Sequence, residues 1–293
     1  MAIGTRQQRN TLAAWLFISV PLLLFLTFYF APMGVALVTS LHKWNLLSPM
    51  RFVGLRNYVA LFKAPDFWNA LRVTIVYVVG IVPTALVISI VVAILLNERI
   101  LGLPFFRIMV YLPAITPMAA AALIFVHLLE PDFGLINYVL SFFGIPKLRW
   151  LNDPGLALLA VMMVGVWKDI GYNAIIVLAG LQSIPGVYYD AARIDGANRV
   201  QIVGRITLPL LSPVIFFIAV VQVIASLQVF TSIKVMTSGG PAGATESIPY
   251  YLYNNAFRYS NMGYASAVAL VLFVIIFVFT MLQFRFGERK VHY

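Results

Sequence analysis

Tyr188–Pro213 reads YYDAARIDGANRVQIVGRITLPLLSP, and it is a polar interruption in a strongly apolar chain. Five charged side chains fall within Asp190–Arg205. A charged residue at the centre of a membrane helix costs about 2.5–3.5 kcal/mol on insertion scales, so five of them exclude a membrane span at this point. We therefore expect this stretch to lie in water or at the membrane surface.

The rest of the chain has the composition of an integral membrane protein. Hydrophobic residues make up 62% of its 293 residues and charged residues only 10%, whereas a soluble domain carries about 25% charged residues. There is no cysteine, which excludes disulfides, thiolate metal sites and cysteine nucleophiles. We interpret the net charge of +10 as a sign of membrane topology and contact with anionic headgroups rather than of nucleic-acid binding.

Six stretches are free or nearly free of charged residues, and each is long enough for the roughly 20 apolar residues that a spanning helix needs. They are Asn10–Leu41, Val73–Asn97, Ile108–Leu129, Pro154–Tyr189, Ile206–Ile233 and Tyr259–Phe284. We interpret the first as a retained helix rather than a signal peptide. The predicted fold is therefore an all-α integral membrane protein with about six transmembrane helices, and the polar stretch lies between helices four and five.

Six helices would place both termini on one side of the membrane. That side carries ten Lys and Arg residues in short segments, against nine on the opposite side in longer ones. Because positive residues are denser in cytoplasmic loops, this bias favours a cytoplasmic location for the termini and for the polar stretch.

The polar stretch carries the local signals of two short helices. Asp190 is predicted to stand in the first turn of the first helix, where a carboxylate suits the positive helix end, and Arg193 can pair with it three residues later. Gly196 can end this helix in a left-handed conformation. Asn198 and Gln201 can then cap the second helix as a capping box.

Ala191 and Ala192 are predicted to be exposed on this element, and their small side chains would let a partner surface approach closely. Pro209 is predicted to set off the fifth span. The alternative interpretation is that the whole stretch is a solvated connector.

The pattern DAARIDGANRVQIVGRITLPLLSP resembles the EAA loop of ABC importer membrane subunits. In that loop a Glu-Ala-Ala triplet is followed after three residues by Gly, and about nine residues later by Ile-x-Leu-Pro. The matching positions here are Ala191, Ala192, Gly196, Ile206, Leu208 and Pro209, while Asp190 replaces the usual Glu. Four further segments, GLRNYVALF, YLPAITP, SGGPAGATESIPYYLYNNAF and GYASAVALVLFVIIF, resemble the carbohydrate and glycerol-phosphate branch of the same family.

This resemblance implies a transport subunit rather than an enzyme, forming half of the pathway for a mono- or oligosaccharide, with glycerol 3-phosphate or a related phosphodiester as the alternative. ATP and Mg²⁺ would bind to a separate ATPase, since the chain lacks the G-x-x-x-x-G-K-[ST] pattern of a P-loop. Residues 188–209 would couple to that ATPase. The implied coupling residues are Asp190, Ala191, Ala192, Arg193, Asp195 and Gly196.

The implied partners are a second, paralogous permease, two ATPase subunits and an extracytoplasmic substrate-binding protein, within the inner membrane of a bacterium or archaeon. No nucleic acid, metal or cofactor is expected on this chain. The predicted organisation has three parts: residues 1–66 with the first helix and an external loop, residues 67–286 with five helices and the coupling loop 185–208, and a cytoplasmic tail at 287–293.

Polar residues inside two predicted spans are candidates for the substrate pathway. They are Trp167, Lys168, Tyr172, Asn173, Gln222, Ser226 and Gln228. Lys168 and Asp169 lie near the middle of the fourth span and point about 100° apart, so at least one should face protein or a wet cavity. The alternatives are pairing with a neighbouring helix, a span shifted so that Lys168 reaches the headgroups, and polar contacts that only join helices. Pro113 and Pro117 are predicted to kink the third span.

A secondary transporter or channel is the competing class of function. It would predict more ionisable residues inside the membrane, and often inverted repeats. The sequence shows one Lys–Asp pair there and no clear repeat. The three histidines are scattered without ligand spacing, and no catalytic set of side chains is apparent.

Overall fold

The computed structural model describes residues 6–98 and 101–287, and this part of the chain is almost entirely helical. In chain order the α-helices up to the long fourth one are α1 Arg6–Phe25, α2 Ala31–Ser40, α3 Arg56–Lys63 and α4 Pro65–Leu96. Those that follow are α5 Leu103–Ile115, α6 Met118–Leu128, α7 Leu135–Ser141, α8 Ala157–Ser183, α9 Gly186–Ile194, α10 Arg199–Ile202, α11 Leu208–Leu210, α12 Ser212–Leu227, α13 Thr231–Met236, α14 Ile248–Tyr253 and α15 Met262–Gly287.

Three π-helical turns and one small sheet complete these elements. The π-helical turns are Leu26–Phe30, Val203–Thr207 and Asn254–Arg258. Strands β1 (His42–Lys43) and β2 (Arg51–Phe52) pair antiparallel, with Lys43 opposite Arg51. No pattern in the sequence had indicated this hairpin.

The chain divides into two compact units. The first runs up to Lys63 and resumes over Leu252–Leu272, and the second comprises Ala64–Tyr251 and resumes at Phe273. The three predicted parts, with boundaries at residues 66 and 286, stay a prediction. Beyond Gly287 the predicted cytoplasmic tail lies outside the described residues.

The first unit is built on a long apolar helix that is exposed along almost its whole length. Residues Ala14–Ser40 form 27 residues of continuous helix, which span about 40 Å at 1.5 Å per residue. At its end, Asn57 of α3 donates to the backbone carbonyls of Ser40 and His42 at 2.7 and 3.0 Å. These bonds fix the start of the hairpin.

The described residues contain four helices that are long and apolar enough to cross a membrane by themselves. They are Ala14–Ser40, Pro65–Leu96, Ala157–Ser183 and Met262–Gly287. Two further pairs of helices are long and apolar enough only when the two members are taken together. They are α5 with α6, which meet at a bend of 100°, and Arg199–Leu210 with α12, which meet at a bend of 66°. The predicted six spans are therefore reached only if each bent pair counts as one span.

The third and fifth predicted spans differ most from the expectation. The two prolines were predicted to kink the third span, but they break it into two helices. The fifth span was predicted to run from Ile206 to Ile233, whereas α12 ends at Leu227 and α13 starts at Thr231. An unbroken apolar run fixes burial but not where the hydrogen-bond ladder is interrupted.

In the second unit, α8 packs closely against α4 and α5 through glycines. A Cβ on Gly171 would overlap the carbonyl oxygen of Val110, and one on Gly165 would overlap Ile81. Small residues are what allow helix backbones to approach inside a membrane, where apolar side chains gain nothing from leaving lipid. The helix that carries Lys168 and Asp169 is thereby held at fixed depth against its neighbours.

The C-terminal halves of α4 and α8 form an apolar core with α12. Its buried members are Ala93, Leu96, Ala174, Val177, Leu178, Leu181, Leu211 and Ile218. Because Leu211 stands at the junction of α11 and α12, this core anchors the end of the polar bend to the membrane helices.

Candidate functional site

The polar bend begins with α9, a nine-residue helix whose end is fixed by backbone geometry. Gly196 has φ +75°, the left-handed conformation that glycine adopts without strain. The amide of Gly196 donates to the carbonyl of Arg193 at 3.1 Å, and that of Ala197 to the carbonyl of Ala192 at 2.9 Å. These two hydrogen bonds form the pattern of a Schellman C-terminus, which confirms the predicted helix end.

The second helix of the bend, α10, starts at the predicted capping box. Asn198 Oδ1 accepts from the amide of Gln201 at 2.9 Å, and Gln201 Oε1 accepts from the amide of Asn198 at 2.8 Å. The predicted ion pair is also present, with Arg193 Nη1 3.3 Å from Asp190 Oδ1. The bend is therefore a folded pair of short helices.

Three predictions about individual residues of the bend are wrong. Asp190 does not stand in the first turn, because α9 already begins at Gly186. Ala192 is only 8% exposed, while its neighbour Ala191 is exposed. The fifth membrane helix is set off by Pro213 in the first turn of α12, since Pro209 lies in the short α11 that precedes it.

The bend also exposes two apolar side chains that were not among the predicted coupling residues. Ile194 is 86% exposed and Val200 82% exposed, one on each short helix. The surrounding residues Arg193, Asp195 and Arg199 are also exposed. The signal that could have found the two apolar residues was their position inside a segment too charged to enter the membrane.

The second part of the candidate site is a polar cavity of about 220 Å³ inside the second unit. It lies where α12 ends and α13 begins, against α4, α6 and α8. Its lining residues are Tyr77, Met118, Gly165, Lys168, Asp169, Ala225, Ser226, Gln228, Val229, Phe230, Thr231 and Ser232. Of the seven predicted pathway residues, Lys168, Ser226 and Gln228 line it.

Lys168 is held by the break in the third span. Its Nζ donates to the carbonyl oxygens of Thr116 at 2.6 Å and Ala114 at 3.2 Å. The last carbonyls of a helix lack partners within that helix, and an ammonium group with three donors satisfies them well. Lys168 thus pairs with a neighbouring helix, as one alternative held, and also faces the cavity.

Asn173 and Gln222 join α8 to α12 beside the cavity. Asn173 Nδ2 donates to Gln222 Oε1 at 3.1 Å, and Gln222 Nε2 donates to Asp169 Oδ2 at 3.2 Å. Both amides are buried. This series of hydrogen bonds ends on the Asp169 carboxylate, which lines the cavity. The contacts that join the two helices and the polar groups of the cavity therefore belong to one network.

Trp167 and Tyr172 are not brought to the cavity. The Trp167 ring packs against Phe125 of α6 at 5.4 Å between ring centroids, and Tyr172 is 53% exposed. The aromatic residues that do line the cavity are Tyr77 and Phe230. Sequence reasoning missed them because each lies in an apolar stretch where nothing local distinguishes it.

A family model described as "binding-protein-dependent transport system inner membrane component" matches residues 85–292. Among curated proteins, the sn-glycerol-3-phosphate transport system permease protein UgpA of Agrobacterium fabrum is 33% identical over 97% of each chain. The trehalose/maltose transport system permease protein MalF of Thermococcus litoralis is 34% identical over 96% of each chain.

Among solved structures, one chain of a bacterial ABC transporter involved in the import of the acidic polysaccharide alginate superimposes with a TM-score of 0.84. The alignment covers 97% of the present chain and 99% of the other at 24% identity. At this identity the likeness shows a shared all-helical membrane fold.

Proposed function

The chain belongs to the family of binding-protein-dependent transport system inner membrane components, and on this premise we propose that it is an ABC importer permease that conducts a neutral sugar and is driven through its polar bend by a separate ATPase. The observation that carries the proposal is a folded, solvent-exposed pair of short helices between α8 and α12, two helices that both border a polar cavity.

The bend is suited to transmit force. Its two helices are fixed by the Schellman end at Gly196 and by the capping box at Asn198. Displacement of one helix by a partner should therefore move the other without unfolding either. Exposed Ile194 and Val200 offer apolar anchors, and the exposed charges around them surround these anchors with polar contacts. Apolar anchors with a polar rim are the usual anatomy of a protein interface.

ATP and Mg²⁺ would be held by the partner. The sequence contains no P-loop pattern, so the phosphates need a binding loop on another subunit. In this arrangement Asp190, Ala191, Arg193 and Asp195 meet the ATPase directly. Ala192 and Gly196 act through the shape of the bend, because one is buried and the other forms its turn.

The cavity favours a neutral sugar over a phosphate ester. The ammonium of Lys168 is engaged by two carbonyl groups, whereas Asp169 Oδ1 accepts no hydrogen bond within the part of the chain that the structure describes. A free carboxylate oxygen accepts from sugar hydroxyls, and because Asp169 balances the charge of Lys168 the cavity has no net positive charge to attract a phosphate. Hydroxyls of Tyr77 and Ser226 and the amide of Gln228 add further hydrogen-bonding groups.

The cavity is smaller than the roughly 300–1,000 Å³ of typical ligand pockets. This suits one half of a pathway that a second, paralogous permease completes. Two ATPase subunits and an extracytoplasmic substrate-binding protein would complete the transporter. In this arrangement both termini and the bend face the cytoplasm of a bacterium or archaeon.

The test is uptake into proteoliposomes by the transporter purified with its partners. We expect an ATPase to copurify, uptake to require ATP, and trehalose or maltose to compete better than sn-glycerol 3-phosphate. Asp169→Asn should lower sugar uptake about tenfold, since hydrogen bonds to charged groups contribute about 1.5–3 kcal/mol. Asp132→Asn is the matched control, because its exposed ion pair with Lys147 lies outside the cavity.

Uptake by the chain alone without ATP would contradict the importer. A preference for glycerol 3-phosphate that is unchanged in Asp169→Asn would agree with an importer but contradict a neutral sugar as its substrate.

A further inference from the structure

A second polar cavity, of about 420 Å³, lies in the first unit between the β1–β2 hairpin and the turn that precedes α15. From the hairpin it is lined by Lys43, Trp44, Asn45, Ser48, Pro49 and Arg51, and from the turn by Tyr259, Ser260 and Asn261. None of these residues belongs to the bend or to the sugar cavity.

The hairpin places two positive charges directly opposite each other. Lys43 and Arg51 are register partners in the antiparallel pair, so their side chains leave the same face of the hairpin. Like charges in this position destabilise a strand pair. Both side chains are exposed, and neither forms an ion pair with any residue that the structure describes.

No carboxylate of the same unit can neutralise this pair. Residues 1–63 and 252–272 contain no Asp or Glu, and the first acidic residue of the chain is Asp66. The two opposed cations that line this cavity therefore have no counter-charge in their own unit and can take one from a bound anion.

The cavity also offers neutral donors suited to an oxyanion. Asn45 Oδ1 already accepts from the amides of Leu47 and Ser48 and from the Ser48 hydroxyl, which leaves the Asn45 NH₂ group as a donor. The guanidinium of Arg51 matches phosphate oxygens in pairs, and the ammonium of Lys43 binds them as a point charge.

The walls of the cavity are held in place by close backbone contacts. The amide of Gly263 donates to the carbonyl of Trp44 at 3.3 Å, and a Cβ on Gly263 would overlap the carbonyl oxygen of His42. The first turn of α15 therefore approaches the hairpin as closely as backbones can. A site held this way loses little freedom when a ligand binds.

The surroundings point to the membrane–water boundary. The hairpin follows directly on the apolar helix that ends at Ser40, and the turn at Tyr259–Asn261 leads directly into α15. Trp44 and Tyr259 are residue types enriched at that boundary. Elsewhere on the hairpin, Leu47 in its loop is 91% exposed and Phe52 in β2 is 68% exposed, which suits lipid better than the polar surface of a soluble protein.

We propose that this cavity binds a phosphate group, supplied by the headgroup of an anionic phospholipid. The opposed pair of Lys43 and Arg51 binds the phosphate, and the exposed apolar residues of the hairpin contact the acyl chains.

The test uses the chain within its purified transporter and native mass spectrometry of retained lipid. Phosphatidylglycerol and phosphatidylcholine are titrated separately, and inorganic phosphate is then added as competitor. We expect one tightly retained phosphatidylglycerol per copy, held at least tenfold more strongly than phosphatidylcholine. The double variant K43Q/R51Q should lose this preference by tenfold or more. The double variant R56Q/K63Q removes the same charge from the same unit outside the cavity and should retain it.

The remaining outcomes decide the source of the phosphate and the standing of the site. Saturable binding of inorganic phosphate that K43Q/R51Q abolishes, without any preference between the lipids, would support the phosphate site with a soluble source. Equal retention of phosphatidylglycerol by wild type and K43Q/R51Q would overturn it. It would equally be overturned if K43Q/R51Q weakened only the association with a soluble protein partner.

A folding defect is separated by thermal unfolding in neutral detergent without anionic lipid. There K43Q/R51Q should unfold at the same temperature as wild type or higher, because the repulsion across the hairpin is gone. Phosphatidylglycerol should then raise the unfolding temperature of the wild type only. A lower unfolding temperature of K43Q/R51Q without lipid would mean that the two cations support the fold itself, against the proposal.

Discussion

Ala191 and Ala192 are adjacent in α9, yet they face opposite environments. Ala191 is exposed to solvent, whereas Ala192 packs inward and its carbonyl closes the Schellman turn with Ala197. Successive residues on a helix point about 100° apart, so two identical side chains in one motif have different roles. One lets a partner approach, and the other lets the bend fold.

The first prediction separates these two roles by a matched pair of substitutions. Ala191→Trp should leave stability within about 0.5 kcal/mol of wild type, because an exposed position tolerates bulk. It should nevertheless reduce ATP-dependent uptake at least tenfold while the ATPase still turns over. Ala192→Trp should cost about 1–3 kcal/mol of stability through overpacking.

The measurements are thermal unfolding, ATPase activity and uptake on the same preparations. Normal uptake by Ala191→Trp would remove this face of α9 from the proposed interface. Wild-type stability of Ala192→Trp would contradict its inward packing.

At the scale of elements, the break between α5 and α6 is the feature that positions Lys168 at the cavity. Pro113 and Pro117 cannot donate backbone hydrogen bonds, so the ladder fails between them and the two helices meet at 100°. The carbonyls freed by the break are taken up by Lys168 of α8. A charge that is costly inside a membrane is thereby used to hold a helix end in place.

The second prediction concerns this contact. Lys168→Met keeps an unbranched flexible side chain of similar size but removes the ammonium donors, leaving the carbonyls of Ala114 and Thr116 without that partner. Because hydrogen bonds to a charged group contribute about 1.5–3 kcal/mol, we expect destabilisation of that order and a lower unfolding temperature.

Lys147→Met is the control for the loss of one positive charge. Its ion pair with Asp132 is exposed on both sides, and such surface pairs contribute about 0–1 kcal/mol. Equal unfolding temperatures for the two variants would show that Lys168 does not secure the break.

At the scale of the whole molecule, the charged bend and the long connector 130–153 should lie on opposite sides of the membrane. Helix α8 joins them, and its 27 residues span about 40 Å, which exceeds a hydrocarbon core of about 30 Å. The orientation follows from the proposal that the bend meets a cytoplasmic ATPase.

The third prediction tests this orientation with single cysteines, which is direct because the chain has none of its own. Asp195→Cys and Ser141→Cys each introduce an exposed thiol. In intact spheroplasts, a membrane-impermeant maleimide should label Ser141→Cys and spare Asp195→Cys. In inverted vesicles from cells that lack the ATPase subunit, which would otherwise cover Asp195, the pattern should reverse. Labelling of Asp195→Cys from outside would contradict both the topology and the coupling role.

The bend shows how much of the candidate site was predictable. Its helix end at Gly196, its capping box at Asn198 and Gln201, and its ion pair are local interactions between residues at most five apart, and the sequence predicted all three. Which alanine faced inward was not predictable, because that depends on packing against residues distant in the chain. The cavity was predicted only in part for the same reason: Tyr77 and Phe230 reach it from separate elements.

By itself the sequence determined that this protein is a helical membrane protein with one charged bend that cannot enter the bilayer, because composition and charge fix the free energy of transfer of each segment into lipid. Only the tertiary structure decided where the third span breaks, which polar residues share a cavity, and that Lys43 stands opposite Arg51. These depend on the close approach of backbones at residues such as Gly171 and Gly263, and contacts between distant parts of the chain leave no periodic signal in the sequence.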